Sequence, residues 1–318
     1  MSLRKRSRRW WRLIRAVAIC FAVLFEVPIR AIAGMFSSRS LAFDRDTLVA
    51  DACCRLSRRI LSVLGVTVIP PNRREVGQGS LIVSNHLSYL DVLVIGSIYS
   101  GKGSGSIGFV AKSEVAAWPL IGWLARLGGA LFLQRGVVIS SVRTVYRVSQ
   151  ALRAGRQMHV FPEGTTTDGR DLTTFHPLFF ASAIRSGRPV LPLTLRVEEV
   201  IEDGQRLAQA NDVICWYGDD LFLSHFWRLL LIDSACIRLV EHDALPVSRI
   251  DRAFGLASRV EEMIRSELSG KLSAKQIDED GTGDLPLDLF AGALIFSMFV
   301  NPGDKDVSEM VPLIEERH

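Results

Sequence analysis

The order of apolar and helical segments predicts an α/β fold: a mixed, largely parallel sheet flanked by helices, with an N-terminal helical membrane-anchoring segment. Three observations carry this. Short, β-branched apolar runs alternate with segments of helical length along residues 46–270. Turn residues close most of these runs, as at Pro70-Pro71, Gly155 and Pro162-Glu163-Gly164. Ahead of them, seven basic residues within 1–15 precede a broken apolar stretch.

That head belongs to a wider charge asymmetry. The chain has 318 residues and a formal net charge of +4, from 38 Lys and Arg against 34 Asp and Glu. Residues 1–15 hold no acid, whereas residues 276–318 hold ten acids and two bases. A basic end of this kind points to an anionic surface. At 48% hydrophobic the chain is not disordered. Five cysteines without a Cys-x-x-Cys pair support neither a disulfide framework nor a zinc ribbon. Six scattered histidines show no metal-ligand spacing.

The apolar run Ala16–Phe25 is followed by Glu26, and Arg30 interrupts its continuation to Phe36. A spanning helix needs about 20 consecutive apolar residues. A basic segment with Trp10 and Trp11 suits a helix lying in the headgroup layer. A single span and a cleaved signal ending at Ala31-Ile32-Ala33 are the competing readings. Residues 1–45 form the anchoring segment on this reading, 46–270 the main domain, and 271–318 an acidic tail with an apolar segment, Leu287–Val300.

Within the main domain, Leu61–Ile69, Leu81–Val83, Phe109–Ala111, Ala130–Leu133, Met158–Phe161 and Val190–Leu195 read as strands, with Val213–Tyr217 a further candidate. Ser88–Tyr99, Glu114–Leu127, Val142–Ala154, Phe179–Arg185 and Val260–Leu268 read as helices. Residues 72–79 and 101–106 read as loops. Gly103-x-Gly105-x-x-Gly108 has the letters of a dinucleotide fingerprint, but it follows a helix and precedes a strand, the reverse of what that mechanism needs.

Four places carry candidate chemistry. Asn85-His86-Leu87-Ser88-Tyr89-Leu90-Asp91 sits at a strand-to-helix junction. With a turn between them, Asp91 can orient His86 and leave its other nitrogen free to take a proton. Ser88-x-x-Asp91 is equally a helix-capping pattern. In Phe161-Pro162-Glu163-Gly164-Thr165, Gly164 allows close backbone approach to an anion, and successive N–H groups and Thr hydroxyls can cradle one; an ordinary turn is the plainer alternative. Arg135, at the end of a short strand, can pair bidentately with phosphate. Lys112 ends another strand. Solvated surface cations are the alternative for both.

Taken together and in order, these pieces resemble the 1-acylglycerol-3-phosphate acyltransferase family of glycerolipid acyltransferases. His86 and Asp91 match its His-x-x-x-x-Asp motif, Gly129 through Arg135 its second motif, Phe161–Thr165 its Phe-Pro-Glu-Gly-Thr motif, and Val190–Leu193 its fourth. Phe109–Val115 and Trp216–Asp219 look like the bacterial branch that includes lyso-ornithine-lipid acyltransferases. His176 and Leu178 stand where the family often has a basic and a small residue.

The resemblance implies a glycerol-3-phosphate acyltransferase-like fold, with residues 46–270 as the catalytic domain. It implies transfer of a fatty acyl group from acyl-CoA or acyl carrier protein to the hydroxyl of a lysolipid, first of all 1-acyl-glycerol-3-phosphate to give phosphatidate. Another lysolipid, such as lyso-ornithine lipid, is the alternative acceptor. A non-catalytic lipid-binding protein is a further alternative, against which the intact His86 and Asp91 argue. His86 is then the general base, oriented by Asp91. Arg135, Glu163, Gly164, Thr165 and Lys112 form the acceptor site, where Glu163 either pairs with Arg135 or binds a glycerol hydroxyl. No metal or redox cofactor is needed. The expected partner surface is an anionic membrane and not nucleic acid, at the cytoplasmic face of a bacterial inner membrane.

Overall fold

The structure, a computed structural model, describes residues 10–11, 13–19, 45–72, 79–100, 107–118 and 121–270. Most of the apolar stretch 16–36, the loop 101–106, and the tail 271–318 with its apolar segment 287–300 lie outside the described residues.

After helical backbone at 10–11 and 13–19, the chain forms α1 (Arg45–Leu64), β1 (Val66–Ile69), β2 (Leu81–Ser84), α2 (Leu90–Tyr99) and β3 (Ile107–Lys112). A 3-10 turn at Ser113–Ala117 leads to α3 (Ile121–Leu127), β4 (Leu131–Leu133), α4 (Val138–Arg153) and β5 (Gln157–Val160). A second one at Pro177–Phe179 leads to α5 (Phe180–Ser186), β6 (Val190–Glu202), β7 (Gln205–Arg206), α6 (Asn211–Ile214), α7 (Phe222–Leu229), β8 (Ser234–Glu241) and α8 (Ala253–Leu268).

The sheet order is β1-β8-β6-β2-β5-β3-β4, with β7 paired to β6. Neighbours from β6 through β2, β5 and β3 to β4 are parallel, as is β1 to β8. Only β8 and β7 run antiparallel to β6. The mixed, largely parallel sheet flanked by helices is therefore as expected.

β2 and β5 are buried at every position, as strands covered by helices on both faces must be; β2 is apolar up to Ser84, whereas β5 buries Gln157 and His159 beside Met158 and Val160. Side chains alternate across the sheet. Ile82 enters one core with Leu61 of α1, Val94 and Ile95 of α2, and Leu229 of α7. Leu81 and Val83 enter the other with Leu152 of α4, Phe180 of α5 and Val260 of α8.

Four local expectations are corrected. Leu61–Leu64 is not strand but the last turn of α1, whose buried stripe is Ala50, Cys54, Ser57, Leu61 and Leu64. Gly65, at φ +76°, turns the chain from helix into β1, and a Cβ there would stand 2.7 Å from the Asp233 carbonyl oxygen. The helix expected over Glu114–Leu127 is broken, because Trp118 before Pro119 is extended at ψ 127°. Val213 and Ile214 lie in a helical turn, not a strand. Strand β8 and helix α7 lie where no element was expected.

Among the described residues, no helix is long and apolar enough to cross a membrane.

Candidate active site

His86 and Asp91 meet directly. The approach to them is built by Asn85, which follows β2 and is wholly buried. Its amide donates to the Leu195 carbonyl at 3.0 Å and accepts from the Leu195 N–H at 2.8 Å, locking the end of β2 onto β6. The turn into α2 then brings the Asp91 carboxylate back. Its Oδ2 accepts from the N–H groups of Leu87 (2.6 Å) and Ser88 (3.0 Å), and lies 2.8 Å from His86 Nδ1. Ser88 Oγ accepts from the Leu90 N–H at 3.1 Å. The capping pattern and the His–Asp contact thus coexist on one carboxylate oxygen. A carboxylate only accepts, so Nδ1 carries the hydrogen, and in the neutral imidazole the lone pair is then on Nε2. The His86 side chain is 20% exposed and that of Asp91 1%, so the imidazole is reachable and its partner shielded. The ring stacks on Phe161 with centroids 3.8 Å apart.

The loop after β5 grips the peptide of His86 on both sides. Glu163 Oε1 accepts the His86 N–H at 2.8 Å, and the Thr167 N–H donates to the His86 carbonyl at 2.9 Å. Glu163 Oε2 accepts from the N–H and hydroxyl of Thr173 at 3.0 and 3.2 Å. Glu163 is 3% exposed, and both its oxygens are occupied. Burial pushes its carboxyl pKa up, and the bonds from Thr173 and His86 pull against that.

The cations gather beside this loop. Gly164 has φ +68°, and its N–H closes the turn onto the Phe161 carbonyl at 3.1 Å. What Gly164 contributes is therefore space. A Cβ there would lie 3.4 Å from the His176 ring and 3.5 Å from the Arg135 guanidinium. Arg135 is exposed and makes no ion pair among the described residues. Its charge, after burial, lowers the pKa of both Lys112 and His176. Thr165 is exposed. Of the residues singled out from sequence, His86, Asp91 and Glu163 are directly bonded, Arg135 borders Gly164, and Lys112 is within electrostatic reach of Arg135.

Several neighbours were not foreseen. His159 is wholly buried behind Phe161, at 4.4 Å between ring centroids. Its Nε2 lies 3.0 Å from Ser84 Oγ, whose hydrogen goes to the Asn85 carbonyl at 2.9 Å, so Nε2–H is the donor. Burial, with His86 nearby, holds its pKa well below the ordinary value. On the other flank stands an aromatic wall of Tyr89, Trp216 and Phe222, with His225 behind it. Cys215 is buried with its Sγ 3.3 Å from the Asp168 carbonyl, and burial, with Asp91, Asp168 and Asp212, pushes its thiol pKa far up. It is no thiolate nucleophile. Among the described residues, no three His, Cys, Asp or Glu side chains are grouped to hold a metal ion.

Residues 65–196 match the acyltransferase family model. The chain is 36% identical over 199 residues to the lyso-ornithine lipid O-acyltransferase of Pseudomonas aeruginosa, covering 63% of this chain and 71% of that one. It is 28% identical over 221 residues to the 1-acyl-sn-glycerol-3-phosphate acyltransferase of Neisseria meningitidis, covering 68% and 80%. Its fold matches the crystal structure of the 1-acyl-sn-glycerophosphate (LPA) acyltransferase PlsC from Thermotoga maritima, with a TM-score of 0.61 at 19% identity, over 87% of this chain and all of that one. The last likeness is one of fold. The first two extend to sequence across most of each relative, and the matched stretch holds His86, Asp91, Arg135 and Glu163: the chain belongs to the acyltransferase family.

Proposed function

We propose that this acyltransferase moves a fatty acyl group from a thioester, acyl-CoA or acyl carrier protein, to the free hydroxyl of a lysolipid at an anionic membrane surface. His86 is the general base and Asp91 the carboxylate that orients it. The observation that carries this reading is the 2.8 Å contact between His86 Nδ1 and Asp91, which leaves the lone pair on the reachable Nε2. The acceptor hydroxyl gives its proton to Nε2 as its oxygen bonds to the thioester carbonyl carbon. Collapse of the tetrahedral intermediate breaks the C–S bond, and the leaving thiolate takes the proton from Nε2. General-base catalysis contributes about 10²–10⁴-fold. Alignment of two lipidic substrates and stabilisation of the oxyanion supply the rest.

The surroundings of His86 suit an amphiphile. On one side stand Arg135 and Lys112 beside the space left by Gly164, and on the other the wall of Tyr89, Trp216 and Phe222. The first acceptor proposed is 1-acyl-glycerol-3-phosphate, whose phosphate Arg135 can hold bidentately, giving phosphatidate. Lyso-ornithine lipid is the second, favoured by the 36% identity to the Pseudomonas relative. Its carboxylate would meet the same cations. Glu163 and Thr167 act through the His86 peptide, whereas Arg135, Lys112 and Thr165 face the headgroup. The basic head places the enzyme on an anionic leaflet, here taken as the cytoplasmic face of the inner membrane.

The test is acyl transfer by purified enzyme from a labelled thioester to a panel of detergent-dispersed lysolipids. Wild type should acylate at least one anionic lysolipid. His86→Ala should release no thiol above background, and Arg135→Ala should raise the KM for the anionic acceptor. Full turnover by His86→Ala would sink the mechanism.

A further inference from the structure

Helix α7 is apolar on two faces. Phe222, His225, Phe226 and Leu229 follow the i, i+3, i+4, i+7 spacing of one side, and of these His225 and Leu229 are wholly buried. Across the helix, Leu223 and Trp227 are 75% and 43% exposed, and Leu221 just ahead of it is 74% exposed. Ser224 and Arg228 fill the sector between the two faces, so Leu223 and Trp227 form a separate exposed apolar face rather than part of an evenly apolar helix.

The N-terminal helical residues show the same inversion. Trp10, Leu13, Ile14 and Val17 also stand at i, i+3, i+4 and i+7, and this apolar stripe is 47–66% exposed. It is Arg15 that turns inward, at 8%. Arg15 Nη1 donates to the carbonyls of Ile232 at 2.5 Å and Leu230 at 3.4 Å, just past the end of α7. The two outward apolar sets are thus carried by segments bonded to each other.

Helix α7 is also seated on the catalytic turn. Tyr89 Oη lies 3.0 Å from His225 Nδ1, and the Tyr89 ring leans on Phe222 at 4.9 Å. The Trp216 N–H donates to the Leu87 carbonyl at 2.8 Å. Leu87 and Tyr89 lie between His86 and Asp91 in the chain. The helix that exposes Leu223 and Trp227 is therefore in direct contact with the His86–Asp91 turn.

We propose that Leu221, Leu223 and Trp227 form a second lipid-contacting patch, carried by the catalytic domain itself and seated in the interface of an anionic bilayer beside the N-terminal helix. The patch sets the depth at which His86 meets its acceptor. The bilayer is the occupant because the exposed residues are Leu and Trp, the pair suited to the headgroup–acyl boundary. In the sequence around that helix, residues 1–15 hold no acid and six bases besides the inward-turned Arg15. The inference rests on the reading that the acceptor is a lysolipid held in the bilayer.

The experiment uses the full chain and vesicles of phosphatidylethanolamine with a minority of phosphatidylglycerol. The triple variant Leu221→Ser, Leu223→Ser, Trp227→Ser should lose about tenfold or more in vesicle partitioning. Its acylation of a bilayer-embedded lysolipid should fall in parallel, while its rate on detergent-dispersed lysolipid stays near wild type. That last rate also reports that the variant is folded. Unchanged partitioning would overturn the proposal, including the case in which Trp10→Ser with Ile14→Ser loses binding alone. A wild-type dimer that the triple variant converts to monomer without loss of partitioning would assign the face to a second copy and overturn it too. The detergent assay reads transfer without a bilayer and the partition assay reads the patch without transfer, so the two proposals fail separately.

Discussion

Glu163→Gln separates a residue that positions His86 from one that binds substrate. In the wild type, two carboxylate oxygens accept from three donors: the His86 N–H, the Thr173 N–H and the Thr173 hydroxyl. A glutamine has one carbonyl oxygen and one NH₂ in the same positions. If the oxygen faces Thr173, the NH₂ confronts the His86 N–H; if it faces His86, the NH₂ confronts the Thr173 N–H. Either way, a buried backbone N–H points at another donor, which costs about 1–3 kcal/mol of stability. In the first orientation the His86 peptide is released on one side, and a shift of the imidazole by about 1 Å costs on the order of 10²-fold in rate. The expected result is a kcat lower by about 10–10²-fold with the acceptor KM within about threefold of wild type. Steady-state kinetics with the acceptor varied at saturating thioester would read both constants. A tenfold rise in acceptor KM at unchanged kcat would refute this, because it is what the loss of a ground-state contact between Glu163 and the acceptor produces.

Asp91→Asn can still accept the same three N–H groups, but without the charge that stabilises an imidazolium, so kcat should fall about 10²–10⁴-fold; a kcat within twofold of wild type in the thiol-release assay would remove Asp91 from the mechanism. Its new NH₂ also falls where Oδ1 has no hydrogen-bond partner, so urea denaturation should show a loss of about 1–3 kcal/mol. Gly164→Ala places a Cβ at φ +68° between His176 and Arg135, so stability should drop by about 1–2 kcal/mol. The acceptor KM of that variant should rise more than the thioester KM; equal changes in both would argue against a headgroup site there. Stability should also fall in mild acid. His159, His176, His225 and His242 all have folded pKa values below the ordinary 6.5, each chiefly through burial. Their stabilisation is full above the unfolded value and is lost as pH falls from about 6.5 through the folded values, because only the unfolded chain takes up the protons there. His159→Gln should remove up to about 1.4 kcal/mol per pH unit from the slope of unfolding free energy between pH 6.5 and 5. An unchanged slope would mean that His159 is protonated in the fold.

The parts of the site that were legible in sequence are those in which chemistry dictates short spacing. His86 and Asp91 sit five apart because one helix-capping turn brings them together, and Phe161 to Thr165 must hold a strand end and a tight turn in five residues. What was not legible is the partner of each. Nothing near Glu163 in the chain indicates that its carboxylate closes on the N–H of His86, 77 residues away, and an acidic residue next to expected anion ligands invites a substrate role. The fold shows the same division. β2 announces itself as an apolar run, since both faces are covered, whereas β5 shows only Met158, Val160 and the following Phe161 around a buried His159. β8 buries Ala235, Ile237 and Leu239 in alternation with the half-buried Cys236 and Arg238, a period-2 signal hidden behind the apolar run that ends α7. In α1, Arg55, Arg58 and Arg59 break up the stripe that only the helical period recovers. Trp118-Pro119 was readable as a helix break, and the apolar density around it obscured that.

Strand order, more than motif order, decides which residues can act together. Along the chain the sequence is His86, Lys112, Arg135, Glu163, but β5 is inserted between β2 and β3. At the carboxyl ends of the parallel strands the order becomes His86, Glu163, Lys112, Arg135. Without that insertion Glu163 would not lie beside His86, and the grip on its peptide would be lost. The ends of β2 and β4 are three strand spacings apart, about 14 Å. A cation fixed at the end of β4 would therefore be too distant to share a small substrate with His86. The guanidinium of Arg135 reaches back to 3.5 Å from the position a Gly164 side chain would occupy, bringing its charge next to the loop that holds His86. The reach of that side chain, together with the missing one at Gly164, converts a row of strand ends into a single site bounded by cations on one side and the aromatic wall on the other.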